Sequence, residues 1–145
     1  MRKTVILFTL IFSFLLSGCS LLEEVNNSLD YAKEATEYIN TWNDFGQEAP
    51  QMIQEAIDNP DAKAELEEKL TVMLTQIEEF NQTEFPSIAE DIHQQVVDKN
   101  EQIKELIESA MINGEVALDK LESSQLLQTI NELTNLMNLL EDLGV

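Results

Sequence analysis

Leu66, Leu70, Met73, Ile77 and Phe80 recur at intervals of four, three, four and three residues. That rhythm puts them on one narrow helical face, the seam through which helices pack in bundles. Glu65, Glu67, Glu68, Glu78 and Glu79 lie off the seam. Three other stretches carry apolar residues at helical spacing, and none alternates with period two over a useful length. The few proline and glycine residues of this region fall at expected helix boundaries. The chain therefore reads as all-α: an antiparallel, mostly up-and-down bundle of about four helices, one of them broken, preceded by an N-terminal apolar helix.

The first bundle helix is expected over about 22–47. Tyr31, Tyr38, Trp42 and Phe45 fall within about 60° of one another on a helical wheel. Ala32, Ala35 and Ile39 lie beside them, and Leu22, Val25 and Leu29 point further round. So broad an apolar face implies two neighbours. The aromatic stripe is either core or an exposed site for a glycan or a partner peptide. Gly46 and Pro50 are read as the end of this helix, with Gln51–Asp58 a short helical piece after the break.

Asn59-Pro60-Asp61 is a helix start: Asn caps, Pro fits the first position, and Asp suits the positive end of the helix dipole. The helix that follows should run to about Gln82. Phe85-Pro86 breaks the chain, and Ser87-Ile88-Ala89-Glu90 fits a capping box. The third helix is expected to reach about Ile112, with Ile88, Ile92, Val96, Ile103, Leu106 and Ala110 on one face. Lys99 falls inside that stripe, where it either snorkels outward or pairs with a carboxylate of a facing helix. Asn113-Gly114 reads as a helix stop. Glu115–Glu122 is a short helix or turn, and Ser123 or Ser124 caps the last helix, which runs to about Leu143. There Leu126, Ile130, Leu133, Met137 and Leu140 form one line flanked by Leu136, Leu139 and Leu143. That leucine face is either buried by two neighbours or partly left for another chain.

The N-terminus carries an address. Arg2 and Lys3 precede an uncharged run from Val5 to Leu16. Twelve uncharged, mostly apolar residues are too few for a span, which needs about 20, and suit the core of a secretory signal peptide. Leu16-Ser17-Gly18-Cys19 follows, and Cys19 is the one cysteine of the chain. This segment resembles the lipobox of bacterial lipoproteins. In that family the cysteine thiol receives a diacylglyceryl group, the peptide is cut before the cysteine, and the cysteine becomes the first mature residue. The resemblance implies a lipid bilayer as the first partner, through acyl chains such as palmitate on Cys19, at the extracytoplasmic face of the cell membrane. It also implies the division 1–18 signal peptide, 19–28 anchored cysteine and short tether, and 29–145 acidic bundle. The mature part then holds no further cysteine for a disulfide, a thiolate nucleophile or a metal site.

Removing Arg2 and Lys3 with the leader takes the basic count from 8 to 6 and the net charge from −20 to −22. The remainder has no arginine. Nucleic acid is thereby excluded as a partner, because phosphate backbones are bound by clustered Lys and Arg. A second, electrostatic hold on anionic lipid is equally unsupported.

No catalytic constellation stands out. Glu90 and His93 have the Glu-x-x-His spacing of di-iron bundles, but that site uses the motif twice and the chain has one histidine. His93 sits off the centre of the apolar stripe as read above, and no metal ligands are assigned. There is no nucleophile elbow, no glycine-rich phosphate loop and no complete EF-hand loop. No cofactor and no enzymatic activity are expected.

Ser20-Leu21-Leu22-Glu23-Glu24-Val25-Asn26-Asn27-Ser28-Leu29-Asp30-Tyr31, directly after the lipobox, and Ala89-Glu90-Asp91-Ile92-His93-Gln94-Gln95 are similar to segments of small acidic lipoproteins of Gram-positive endospore-forming bacteria. The resemblance implies the outer face of a single cytoplasmic membrane, and no activity. The expectation is a non-catalytic interaction or structural module. Its candidate contact face comprises Tyr31, Tyr38, Trp42, Phe45, Leu136 and Leu139, and its candidate partner is an envelope protein or a second copy. The alternative is a lipoprotein that binds a small ligand or a divalent cation, favoured by its charge and by the cavities bundles build.

Overall fold

A computed structural model describes the backbone of residues 18–141 and the side chains of residues 26–140. The expected signal helix, the side chains of Leu16, Ser17, Gly18, Cys19, Leu22 and Val25, and Leu143 lie outside the described residues. Helix α1 spans Gly18–Asp58, α2 Pro60–Phe80 and α3 Glu90–Ala110. After a small hairpin come α4, Leu118–Ser123, then α5, Leu126–Asn135, and α6, Met137–Glu141. Helix α1 packs against α2, α4, α5 and α6, while α3 packs against α2, α4 and α5. The architecture is the expected all-α bundle.

The five seam residues of α2 are all buried. Its start is built as the sequence indicated. The Asp61 and Ala62 amides donate to the Asn59 side-chain oxygen at 3.0 and 3.4 Å, and Pro60 takes the first turn, where its missing N–H leaves nothing unpaired.

The broken helix is the last one, not the first. Helix α1 continues through Gly46 and Pro50 for 41 residues, about 60 Å at about 1.5 Å per residue. Burial decides this. The stripe of Tyr31, Trp42 and Phe45 carries on through Ala49, Ile53 and Ala56, all in the same core. Pro50 is exposed, and the carbonyl it cannot satisfy is that of Gly46. Gly46 is there for contact: a Cβ built on it would meet Ile130 Cγ2 at 3.0 Å. The final helix, by contrast, changes its hydrogen bonding around Leu136. The Leu136 amide bonds to Leu133 and the Leu139 amide to Leu136, both three residues back, which separates α5 from α6.

Asn113-Gly114 is not a helix stop but a hairpin turn. Strands β1, Met111–Ile112, and β2, Glu115–Val116, pair antiparallel with Met111 opposite Val116 and Ile112 opposite Glu115. Asn113 and Gly114 have φ of 54° and 87°, the left-handed pair that a two-residue hairpin needs. Helix α3 therefore ends at Ala110 rather than near Ile112. The Val116 amide donates to Glu67 Oε1 at 2.8 Å, which pins the hairpin to α2. Ser87–Ala89 forms a 3₁₀ turn and α3 begins at Glu90, so Glu90 is its first residue rather than the third position of a capping box. Ser124, with its hydroxyl donating to Leu121 and accepting from the Leu126 amide, joins α4 to α5.

Candidate functional site

Helix α3 and the turn before it face the core with Ala89, Ile92, His93, Val96, Asn100, Ile103, Ile107 and Ala110. Of the expected apolar face, Ile92, Val96, Ile103 and Ala110 are buried and Leu106 packs against the core, while Ile88 is 61 % exposed. The steps from Ala89 to His93, Val96, Asn100, Ile103, Ile107 and Ala110 keep the four-three rhythm of α2, and two polar residues hold central positions of that seam: His93 is 4 % exposed and Asn100 0 %. Counting only apolar residues left those two out.

Around those two residues the bundle is aromatic and hydrogen-bonded. Tyr38 stacks on Phe80 with centroids 4.1 Å apart and planes 13° apart. Phe80 continues to His93 at 5.6 Å, and His93 to Phe85 at 4.2 Å. Four rings from α1, α2, α3 and the 81–86 loop thus form one column. Tyr31 approaches His93 edge-on, its hydroxyl 3.2 Å from Nδ1. Burial holds the His93 pKa below its ordinary value. Burial, with the Glu34 charge adding to it, holds that of Tyr31 above its own. Both groups are neutral at pH 7, so the contact is a hydrogen bond between a phenol and an imidazole rather than an ion pair.

A polar relay runs beside the column. Tyr38 Oη donates to Asn100 Oδ1 at 2.6 Å, Asn100 Nδ2 to Asn81 Oδ1 at 2.7 Å, and Asn81 Nδ2 to Glu101 at 3.0 Å. It ties α1, the end of α2 and α3 together, and every link needs its neighbour in register. Burial raises the Tyr38 pKa. Trp42, wholly buried, packs edge-on against both Tyr38 and Phe45, at 6.5 and 6.1 Å.

The residues singled out as a contact face divide accordingly. Tyr31, Trp42 and Phe45 are buried inside the bundle, Tyr38 and Leu136 are half-buried, and Leu139 is 37 % exposed. The aromatic stripe thus follows its core alternative. Met137 packs against the core, and Leu126, Ile130, Leu133 and Leu140 are within it. Lys99 takes the paired alternative: its Nζ lies 2.6 Å from Glu132 Oε2 on α5, and that bond holds the Glu132 carboxyl below the usual carboxylate range. Glu90 is exposed while His93 is buried, so the Glu-x-x-His pair does not converge.

Two clefts open along the outer groove between α1 and the α2–α3 connection. One, about 260 Å³, is lined by Asp30, Tyr31, Glu34, Glu84 and Phe85 among others. The second, about 400 Å³, is lined by Glu34, Glu37, Tyr38, Gln76, Glu79 and Phe80 with two threonines. Among the described residues, no three or more His, Cys, Asp or Glu side chains converge to hold a metal ion. A third cleft, about 230 Å³, lies at the other end between Ile53, Ile57, Leu121 and Leu127. No helix among the described residues is long and apolar enough to cross a membrane.

Residues 31–143 match a family of unknown function (DUF6376), and the chain belongs to that family. It is 33 % identical over 130 residues to an uncharacterized lipoprotein, YybP, of Bacillus subtilis (strain 168), an alignment that covers 88 % of each chain. No solved structure matches it.

Proposed function

We propose that the protein is a lipoprotein, acylated at Cys19 and held at the extracytoplasmic face of the cell membrane, and that it works there by binding rather than by catalysis. In this reading residues 1–18 are removed and the bundle of residues 29–145 follows a short helical tether. The observation that carries it is the junction: a lipobox-like Leu16-Ser17-Gly18-Cys19 ends a charge-free run, and α1 leads from that point straight into the bundle. The lipoprotein name of the Bacillus subtilis relative supports it. Two acyl chains, at about 0.8 kcal/mol per buried methylene, give a stable hold. The binding role is supported by His93, whose ring is packed between phenylalanines and hydrogen-bonded to Tyr31 inside the core rather than open to a substrate. Leu139, with Leu136 beside it, is the part of the predicted contact face that reaches solvent, and it is where an envelope protein or a second copy would touch.

The test is fractionation. In the native host, the wild-type chain is expected in the membrane fraction, carrying label from radioactive palmitate. Cys19→Ser should abolish the label and move the protein to the soluble or secreted fraction. Retention of Cys19→Ser in the membrane without label would refute the lipid anchor. Leu139→Glu then reads the face: it should release any crosslinked partner from intact cells without lowering the melting temperature.

A further inference from the structure

The connection between α2 and α3 presents apolar side chains to solvent at the end of the bundle where α1 begins. Ile88 is the most exposed large apolar residue among the described residues, at 61 %. Phe85 is 42 % exposed although His93 stacks on its ring. Phe85 and Pro86 stand beside Asn27, Asp30 and Tyr31, which places the loop at the anchor end of α1. Ala89, next to Ile88, is buried in the core, and Ser87–Ala89 is a 3₁₀ turn, so a fixed backbone holds Ile88 outward.

Position says what covers this pair. Helix α1 runs unbroken from Gly18, and eight residues separate Cys19 from Asn27, about 12 Å at about 1.5 Å per residue. In the lipoprotein reading, on which this inference rests, Cys19 sits where acyl chains meet headgroups. The headgroup layer beyond it is about 5–7 Å thick. Neighbouring helices pack about 8–10 Å apart, so a lean of α1 by about 30° toward the loop lowers Phe85 to about 6 Å from that level, within the layer. Charge disfavours the other occupants. Residues 81–98 contain no lysine or arginine, and exposed Glu84, Glu90 and Asp91 flank the two apolar residues. A second copy would set these carboxylates against their like. Anionic headgroups would find no cation to hold. Apolar side chains need none: they settle about 5–10 Å into the boundary between headgroups and acyl chains. We propose that Phe85 and Ile88 dock the anchored bundle on the lipid bilayer, a second hold that sets the lean of α1.

The experiment uses the full chain, matured in the native host and purified in detergent, with its intact mass reading the lipid on Cys19. Acylation consumes the thiol of Cys19, the only cysteine. Gln82→Cys in the loop, or Ile112→Cys in the hairpin, then offers one exposed site for an environment-sensitive fluorophore. In phosphatidylcholine vesicles carrying nitroxide headgroups, the Gln82→Cys label should be blue-shifted and quenched, and the Ile112→Cys label should be neither. High salt should leave both signals as they are. Adding Ile88→Gln, at an exposed position, should remove most of the quenching in the loop while the melting temperature and membrane attachment stay unchanged. Equal quenching at the two sites in a chain that carries the lipid would overturn docking and leave the anchor standing. A chain without the lipid mass would overturn the anchor, and docking with it. Loss of the loop signal at high salt would overturn docking, and so would a loop shielded in intact cells but not in protein-free vesicles, which would assign it to a protein partner.

Discussion

The two halves of the bundle solve the same packing problem with different materials. The half nearest the start of α1 holds Tyr31, Tyr38, Phe80, Phe85 and His93 with the Asn100 relay. The half nearest the hairpin holds Leu66, Leu70, Ile103, Ile107, Leu126 and Ala49, with side chains that carry no polar atoms. Aliphatic packing is non-directional, so the hairpin half tolerates small shifts between helices. Hydrogen-bonded rings are not so tolerant. A buried polar group that loses its partner is left desolvated, so the aromatic half specifies which helix faces sit opposite.

This contrast can be broken in several places. The largest effect is expected at Trp42, where the ring half meets the aliphatic half. Trp42→Ala should destabilise the fold by about 3–5 kcal/mol in urea melts, through lost contact and the cavity left behind. Asn100→Leu comes next: it strands the Tyr38 hydroxyl and the Asn81 side-chain oxygen, at a cost of about 1–3 kcal/mol. The isosteric comparison in the other half, Ile107→Leu, should cost less than about 1.5 kcal/mol. If Asn100→Leu is neutral, the relay does not set register and the contrast fails.

His93 sharpens the comparison through pH. Its folded pKa lies below its ordinary value, so the unfolded chain takes up the proton first. Stability should be fully present above the unfolded value, about 6.5, and fall with acidification toward the lower folded value, by at most about 1.4 kcal/mol per pH unit. His93→Phe should flatten that part of the stability–pH curve above the carboxylate range, whereas no substitution in the aliphatic half should change it. The smallest of these effects belongs to Asn59→Ala, which removes the cap of α2 at the hairpin end. A loss of about 1 kcal/mol is expected, with the m-value unchanged.

The aliphatic half was legible because its seam residues are apolar and periodic; Leu66, Leu70, Met73 and Ile77 announce a helix face directly. The aromatic half was legible only in part. Tyr31, Tyr38, Trp42 and Phe45 mark a stripe, but His93 and Asn100 are polar and look like surface until the spacing from Ala89 to Ala110 is counted without regard to polarity. Local signals also lost to tertiary ones. Pro50 reads as a stop, yet the core on both sides of it keeps α1 helical, and Gly46 owes its place to Ile130 rather than to a turn. Asn113-Gly114 carries the dipeptide of a hairpin, but strands of two residues are too short to show alternation, and the helix-stop reading took precedence. The clefts had no sequence signature, because they arise from the meeting of Glu34 and Tyr38 with Glu79 and Phe80 across two helices.

An unbroken α1 also governs how the molecule explores its surroundings. With Cys19 acylated, the attachment point diffuses in the plane of the membrane, and the hairpin is carried at the other end of a stiff rod. A loose glycine–serine leash would let that end sweep a hemisphere. A helix that starts at the attachment point instead keeps that end at a fixed distance from it, about 60 Å at about 1.5 Å per residue. Inserting a short flexible segment after Cys19 would let that distance vary without altering a single contact in the bundle.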